Sequence, residues 1–353
     1  MAKIRPFRPD DIPDVVALRR KSFGRSERPG AAALEAYFEH VFFRNPWRDE
    51  ALPSLVYVDP SGRPVGFLGV VPRRATFRGE ALRVAVSTQL MTDPEHRGIA
   101  AIELIKALLA GGQDLCFADL ANDVSRRLWE GLGGDVALVP SLSWTQPLRA
   151  VRYYGSLFGD TVGARALALG LRPLSWAIDG FAPTWLQRDG LRADPLTPEA
   201  MARHLPALLH DVALRPEYDE TAVAWLLEQL AAKRALGELR RAALRDAGGV
   251  LVGWYLYYAN RGGLGQVVQV AAAKGRYGEV AHAMFVDAWH CGLTALAGRL
   301  EPQLVPILAE RDGAVTRAGP WVLLHSPRPD VLAAIQRGDA FLSRLEGEWW
   351  LSF

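Results

Sequence analysis

Met91-Thr92-Asp93-Pro94-Glu95-His96-Arg97-Gly98-Ile99-Ala100-Ala101 is the stretch on which the fold turns. Residues 81–91 read as a strand that stops at Asp93-Pro94-Glu95, and a helix is expected from about Gly98 to Leu109. A strand that passes through a short loop into a helix leaves orphan backbone N–H groups at the helix head. Together with the positive end of the helix dipole they form a seat for an anion.

Working outward, residues 4–9 read as a short strand, with Asp10 and Asp11 offering N-cap chemistry to a first helix. Leu34, Tyr37, Phe38 and Val41 recur at helical spacing over 31–43. Strands at 55–58 and 65–71 flank the turn Asp59-Pro60-Ser61-Gly62, and 75–77 turns at Arg78-Gly79 into 81–91. Downstream come a strand (115–119), a helix (125–132) and a strand pair within 134–145. After a helical connector at 151–188 the same grammar returns: strand 191–195, helices 198–210 and 220–233, strands 239–245, 250–258 and 265–272, and helix 277–291. Strand 293–298, helix 302–310, strand 321–324, helix 330–337 and a closing strand at 348–353 finish the reading. The expected architecture is α+β, with an N-terminal domain at 1–150 and a C-terminal domain at 189–353, each a mixed, mostly antiparallel sheet flanked by helices.

This order of elements resembles the GCN5-related N-acetyltransferase (GNAT) superfamily, and 91–101 looks like its motif A, Q/R-x-x-G-x-G/A. Arg97 takes the first motif position; Ala100 stands where the first motif Gly is expected and Ile102 where the second Gly or Ala is expected. Residues 122–134, Asn122-Asp123-Val124-Ser125-Arg126-Arg127-Leu128-Trp129-Glu130-Gly131-Leu132-Gly133-Gly134, resemble the family's motif B, with Trp129 at the usual Tyr position. The resemblance implies acyl transfer from acetyl-coenzyme A, the coenzyme being held by Leu90, Met91, Thr92, Arg97, Gly98, Ile99, Ala100, Ala101, Asn122 and Ser125. It also implies a tyrosine acid toward the leaving thiolate, which an indole N–H at Trp129 cannot supply. The catalytic residues are left unassigned. In the second half, Lys274-Gly275-Arg276 lies where another motif A would lie, as a structural copy.

Composition bounds the alternatives. The chain has 353 residues, with Lys plus Arg at 41 against Asp plus Glu at 39, so no global basic field exists to hold DNA. Two cysteines, Cys116 and Cys291, are too few for a disulfide framework, and the seven histidines form no metal-ligand pattern, so no metal is expected. The apolar run 162–186 is interrupted by Arg165, Arg172 and Asp179, which argues against a membrane span. The first residues hold no apolar leader core, so the cytoplasm is the expected compartment. Expected partners are a small-molecule or peptide acceptor, and oligomerisation is left open. Two other readings stand beside the enzyme: a non-catalytic acyl-coenzyme A-binding or regulatory protein with a degenerate fold, and a Fem-type aminoacyl transferase using Arg234, Arg240, Arg241 and Arg245 on RNA.

Overall fold

A computed structural model of the chain describes residues 3–23, 30–157, 186, 190–311, 313–317 and 319–351. Most of the connector at 151–188 lies outside these residues. Its described start is a short helix, and the remainder of the 162–186 run is Leu186 alone. No helix among the described residues is long and apolar enough to cross a membrane.

The first half contributes strands β1 (Lys3–Pro6), β2 (Leu55–Val58), β3 (Pro64–Phe77), β4 (Glu80–Thr92), β5 (Leu115–Ala121), β6 (Asp135–Val136) and β7 (Ser143–Pro147). Its helices are α1 (Ile12–Phe23), α2 (Ala31–Phe42), α3 (Arg97–Leu109), α4 (Asp123–Gly131) and α5 (Ala150–Leu157). The second half adds β8 (Arg192–Pro195), β9 (Leu214–Pro216), β10 (Glu238–Arg245), β11 (Leu251–Ala259), β12 (Leu264–Ala272), β13 (Ala295–Arg299), β14 (Ala314–Thr316) and β15 (Trp321–His325). Helices α6 (Pro198–Leu208), α7 (Glu220–Ala232), α8 (Tyr277–His290), α9 (Val305–Glu310) and α10 (Pro329–Gln336) complete it.

Two mixed sheets result. The first runs β1-β2-β3-β4-β5-β15-β6 with β9 attached to β3, and the second runs β14-β7-β13-β12-β11-β10-β8. Each holds one parallel pair, β4 with β5 and β12 with β13, and each pair is joined through a helix, α3 or α8. The expected α+β class with mostly antiparallel sheets is what the chain forms. The sheets, however, exchange strands. β7, read as part of the first half, pairs with β13 in the second sheet, while β15 from the second half lies beside β5 in the first. The sheets therefore do not divide the chain at residue 150.

Local chemistry accounts for most elements. Arg78 and Gly79, at φ +51° and +91°, make the two-residue turn that sets Phe77 opposite Glu80. The strand read as two pieces, 65–71 and 75–77, is one continuous β3, because both pieces pair with β4. Among the described residues the closing strand expected at 348–353 does not form: Trp349–Leu351 make a short 3₁₀ turn, pinned by a Tyr37 hydroxyl that donates to the Leu351 carbonyl at 3.1 Å.

The core lies in layers. Phe67, Val84 and Val86 of the first sheet and Trp254, Leu256 and Tyr258 of the second share one middle layer with α1, α2, α6 and α7. Val70 and Ala85 share a second core with Leu104 of α3, whereas Tyr255 and Tyr257 share a third with Met284 of α8. The alternating aromatics of β11 thus fill two cores.

Candidate active site

β4 and β5 are paired only at Val84, Ala85 and Val86, opposite Leu115, Cys116 and Phe117; beyond that point the two parallel strands part. On its other side β4 keeps its pairing with β3 through a bulge. Thr88 faces Gly69 and Met91 faces Phe67, so Gln89 and Leu90 together oppose Leu68. Gln89 takes φ +50°, an uncommon value for a residue with a side chain. A bulge of this kind leaves backbone groups out of the ladder and aims them elsewhere. Here the bulge lies alongside the gap.

That gap opens onto a cleft of about 1050 Å³. Ser87, Thr88, Gln89 and Leu90 of β4 form one wall, and Ala118, Leu120 and Ala121 of β5, with Asn122, Ser125 and Trp129, form another. The far wall comes from α7 and the turn after it, and Glu348 to Leu351 form the floor. Of the residues singled out from sequence, Leu90, Asn122 and Ser125 line this cleft. Asn122 also caps α4, accepting from the Ser125 N–H at 2.9 Å. Met91 and Thr92 are buried at the end of β4. Ala100 and Ala101 are buried on α3, while Gly98 and Ile99 are exposed on its first turn, where Arg97 begins the helix.

The head of α3 has no side-chain cap, so its first N–H groups are open to an anion. Asp93 steadies the loop ahead of it, accepting from the Glu95 N–H at 3.2 Å and from Lys21 Nζ at 2.7 Å. Ala100 is small for a packing reason: a Cβ on Gly66 of β3 would meet the Ala100 methyl at 3.4 Å and Leu104 at 3.1 Å. Close approach of helix to sheet holds the helix head against the parted strands.

Two groups that sequence reading missed stand over the bulge. The Tyr37 hydroxyl accepts from Gln89 Nε2 at 2.5 Å, and burial raises its ionisation well above the usual tyrosine range. Glu348 is buried and accepts from the Leu120 N–H of β5 at 3.1 Å, while its own N–H donates to Asp119 at 2.6 Å. Burial, with the Asp119 charge beside it, pushes the Glu348 carboxyl up to about 8. Asp119 is itself ion-paired with Arg299 of β13, both side chains being buried. Gly347 makes room for that carboxylate, which a Cβ at this position would strike.

These buried acids have a consequence for stability. Burial pushes Glu301 up to about 8 as well, with Glu346 adding to it. The fold keeps a proton on Glu301 and Glu348 that the unfolded chain gives up near 4.5. Their contribution is complete below that value and is lost as pH rises to about 8, at up to about 1.4 kcal/mol per pH unit for each group. His204 and His325, lowered chiefly by burial, act with the opposite sign below 6.5, and Lys233, lowered by burial to about 8, does so above 8. The melting temperature should therefore fall between pH 6.5 and 8. A flat or rising melting curve across that window would contradict the protonated assignment.

The parted parallel strands, the bulge and the uncapped helix head can be set beside known proteins. Residues 3–113 match the family model described as "Acetyltransferase (GNAT) domain". Residues 3–113 are thus similar to a GNAT acetyltransferase domain. Among solved structures, a conserved protein of Enterococcus faecalis V583 described as a probable N-acyltransferase is 12% identical with a TM-score of 0.60, over 92% of this chain and 72% of that one. A GCN5-related N-acetyltransferase from Anabaena variabilis ATCC 29413 is 13% identical with a TM-score of 0.59, over 93% and 74%. The Saccharomyces cerevisiae N-myristoyltransferase solved with myristoyl-CoA and inhibitors is 10% identical with a TM-score of 0.52, over 92% and 79%. At these identities the likeness is one of fold, and it extends over both sheets. No curated protein matches the chain.

In the second half the loop at Lys274-Gly275-Arg276 is closed by local pairing: Lys274 pairs with Asp211 at 3.3 Å and Arg276 with Glu279. Arg344 from the C-terminal segment reaches the end of the β12–β13 pair instead, donating to Gln266 and to the Val267 carbonyl at 2.9 and 3.0 Å. Cys116 is fully buried and its thiol is pushed up by that burial, so it is no nucleophile.

Proposed function

We propose that this protein transfers an acyl group from acyl-coenzyme A to an amine or hydroxyl, with the first half holding the coenzyme and the second half shaping the acceptor wall. The observation that carries this reading is the parting of β4 and β5 at a bulge that opens into the cleft. A thioester arm entering the gap meets backbone N–H groups of β4 at Gln89 and Leu90, which polarise its carbonyl. The head of α3 receives the coenzyme's phosphates, and Asn122 and Ser125 flank the arm. Fixing the remote phosphates fixes the thioester, so proximity supplies much of the rate. Glu348 takes the acceptor's proton when ionised, and Tyr37, always protonated near neutrality, is the donor once its hydroxyl turns from the Leu351 carbonyl toward the thiolate.

Acetyl-coenzyme A at about 100 times its dissociation constant should stabilise the fold by about 2.7 kcal/mol, read as a rise in melting temperature. No shift at millimolar ligand would remove the reading. A coenzyme-binding protein without turnover is the second reading, favoured by the buried Trp129 at the position of the family's tyrosine. Free-thiol release across an amine panel separates the two. The RNA-directed alternative loses support from its own arginines, since Arg240 pairs with Asp287 at 2.9 Å and Arg245 with Asp194 at 3.1 Å.

A further inference from the structure

The cleft is lined by four charged side chains among the described residues: Arg19, Lys233, Arg234 and Glu348. Arg19 comes from α1 and is buried; Lys233 ends α7 and is half-buried; Arg234 begins the next turn and is exposed. Gln89, Gln229 and Gln266 are among the neutral polar groups of the lining, and Trp349 and Leu236 are among its apolar ones. Three cations therefore face a single carboxyl. We propose that the acceptor is a small amine that also carries a carboxylate or phosphate, the anion being held by Lys233 and Arg234 and the amine turned toward Glu348 and the Gln89 bulge. This rests on the acyl-transfer reading.

Three physical points support the assignment. Glu348 keeps its proton over most of the neutral range, so the charges on the described lining at pH 7 are those of Arg19, Lys233 and Arg234. An ammonium at Lys233 is already disfavoured by burial, which lowers it to about 8, and an incoming anion relieves that cost while a second cation adds to it. The Lys233 and Arg234 wall is supplied by the second half, whereas the bulge belongs to the first, so an acceptor anchored at one and reacting at the other spans the cleft. A polycationic amine would have to bring several charges against the same three cations. The transfer balances without a further reactant: the neutral amine nitrogen bonds to the thioester carbonyl carbon, the carbon–sulfur bond breaks, the amine proton passes to Glu348 and the thiolate leaves with a proton from Tyr37 or water.

Matched pairs test it. Tryptophan against tryptamine, phosphoethanolamine against ethanolamine, and spermidine as a polycation should be compared by free-thiol release from acetyl-coenzyme A and by ligand-induced melting shift. The expected result is at least a tenfold higher kcat/KM for one or both anionic members. The carboxylate and phosphate arms identify which anion the site takes. Lys233→Gln should raise KM for the preferred anionic acceptor about tenfold while moving kcat by less than twofold, and should move KM for the matched amine that lacks the anion far less. Preference for the decarboxylated amines or for spermidine, or an equal effect of Lys233→Gln on both members of a pair, would overturn the proposal. So would the lack of both turnover and a melting shift with every anionic amine. Coenzyme binding, followed separately by its own melting shift, tells the two readings apart: retained coenzyme binding with a cation preference sinks only this inference, and lost coenzyme binding sinks the transferase with it.

Discussion

Replacing Arg299 with methionine should destabilise the protein by about 3–5 kcal/mol, the usual cost of stranding one partner of a buried ion pair. Arg299 stands on β13 of the second sheet and Asp119 on β5 of the first, with side-chain exposures of 7% and 0%. The guanidinium also donates to the Ser343 carbonyl at 3.2 Å, so one side chain ties both sheets to the C-terminal segment. Methionine keeps most of the volume and leaves Asp119 with a buried charge that has lost its ion-pair partner. Chemical denaturation of wild type, Arg299→Met, Asp119→Leu and the double variant would measure the coupling. The double variant should recover part of the loss, because no lone charge remains. It should not recover all of it, since the Glu348 N–H loses its acceptor on Asp119. A loss below about 1 kcal/mol in Arg299→Met would show that the pair does not hold the sheets together.

Much of the fold was legible because its determinants are local. The turn at Arg78-Gly79, the loop at Asp93-Pro94-Glu95 and the cap at Asn122 each act within a few residues of themselves. The exchange of β7 and β15 between sheets was not legible. Ser143–Pro147 shows the same alternation whichever sheet it joins, and its partner Ala295–Arg299 lies some 150 residues away. The final segment misled for a related reason. An aromatic run at Trp349-Trp350 suits a strand, but its backbone is captured by Tyr37 and its Glu348 by β5, which leaves no free edge for a ladder.

The site divides along the same line. Leu90, Asn122 and Ser125, which the family resemblance singles out, line the cleft from two successive strand-to-helix passages, β4–α3 and β5–α4. Tyr37, Glu348, Arg19 and Lys233 come from four separate elements and meet only in the folded chain. A signal for Glu348 did exist: Asp119 and Arg299 each interrupt an otherwise apolar strand, and Glu346 and Glu348 interrupt an apolar tail. Charges that break apolar runs in both halves of a chain are candidates for one another's partners. Periodicity alone cannot pair them.

Glu348→Gln should lower kcat by about 10²–10⁴-fold and remove an inflection from the pH–rate profile. Glu348 titrates near 8 in the folded protein, chiefly because burial penalises its charge and then because Asp119 lies beside it. As a proton acceptor it works only when ionised. The rate should rise about tenfold per pH unit below that value and level off above it. The acceptor's own ionisation would mask this, so the profile should be taken with an amine that is already neutral at about pH 6. Any remaining inflection then belongs to the protein. Glutamine still offers a carbonyl oxygen to the Leu120 N–H, and the main-chain N–H at 348 still donates to Asp119, so the segment keeps its place. What the variant loses is the ability to take a proton. Coenzyme binding should be unchanged, and the residual rate should be nearly independent of pH. An inflection near 8 that survives in Glu348→Gln would remove this residue from the reaction and shift the role to water held in the cleft.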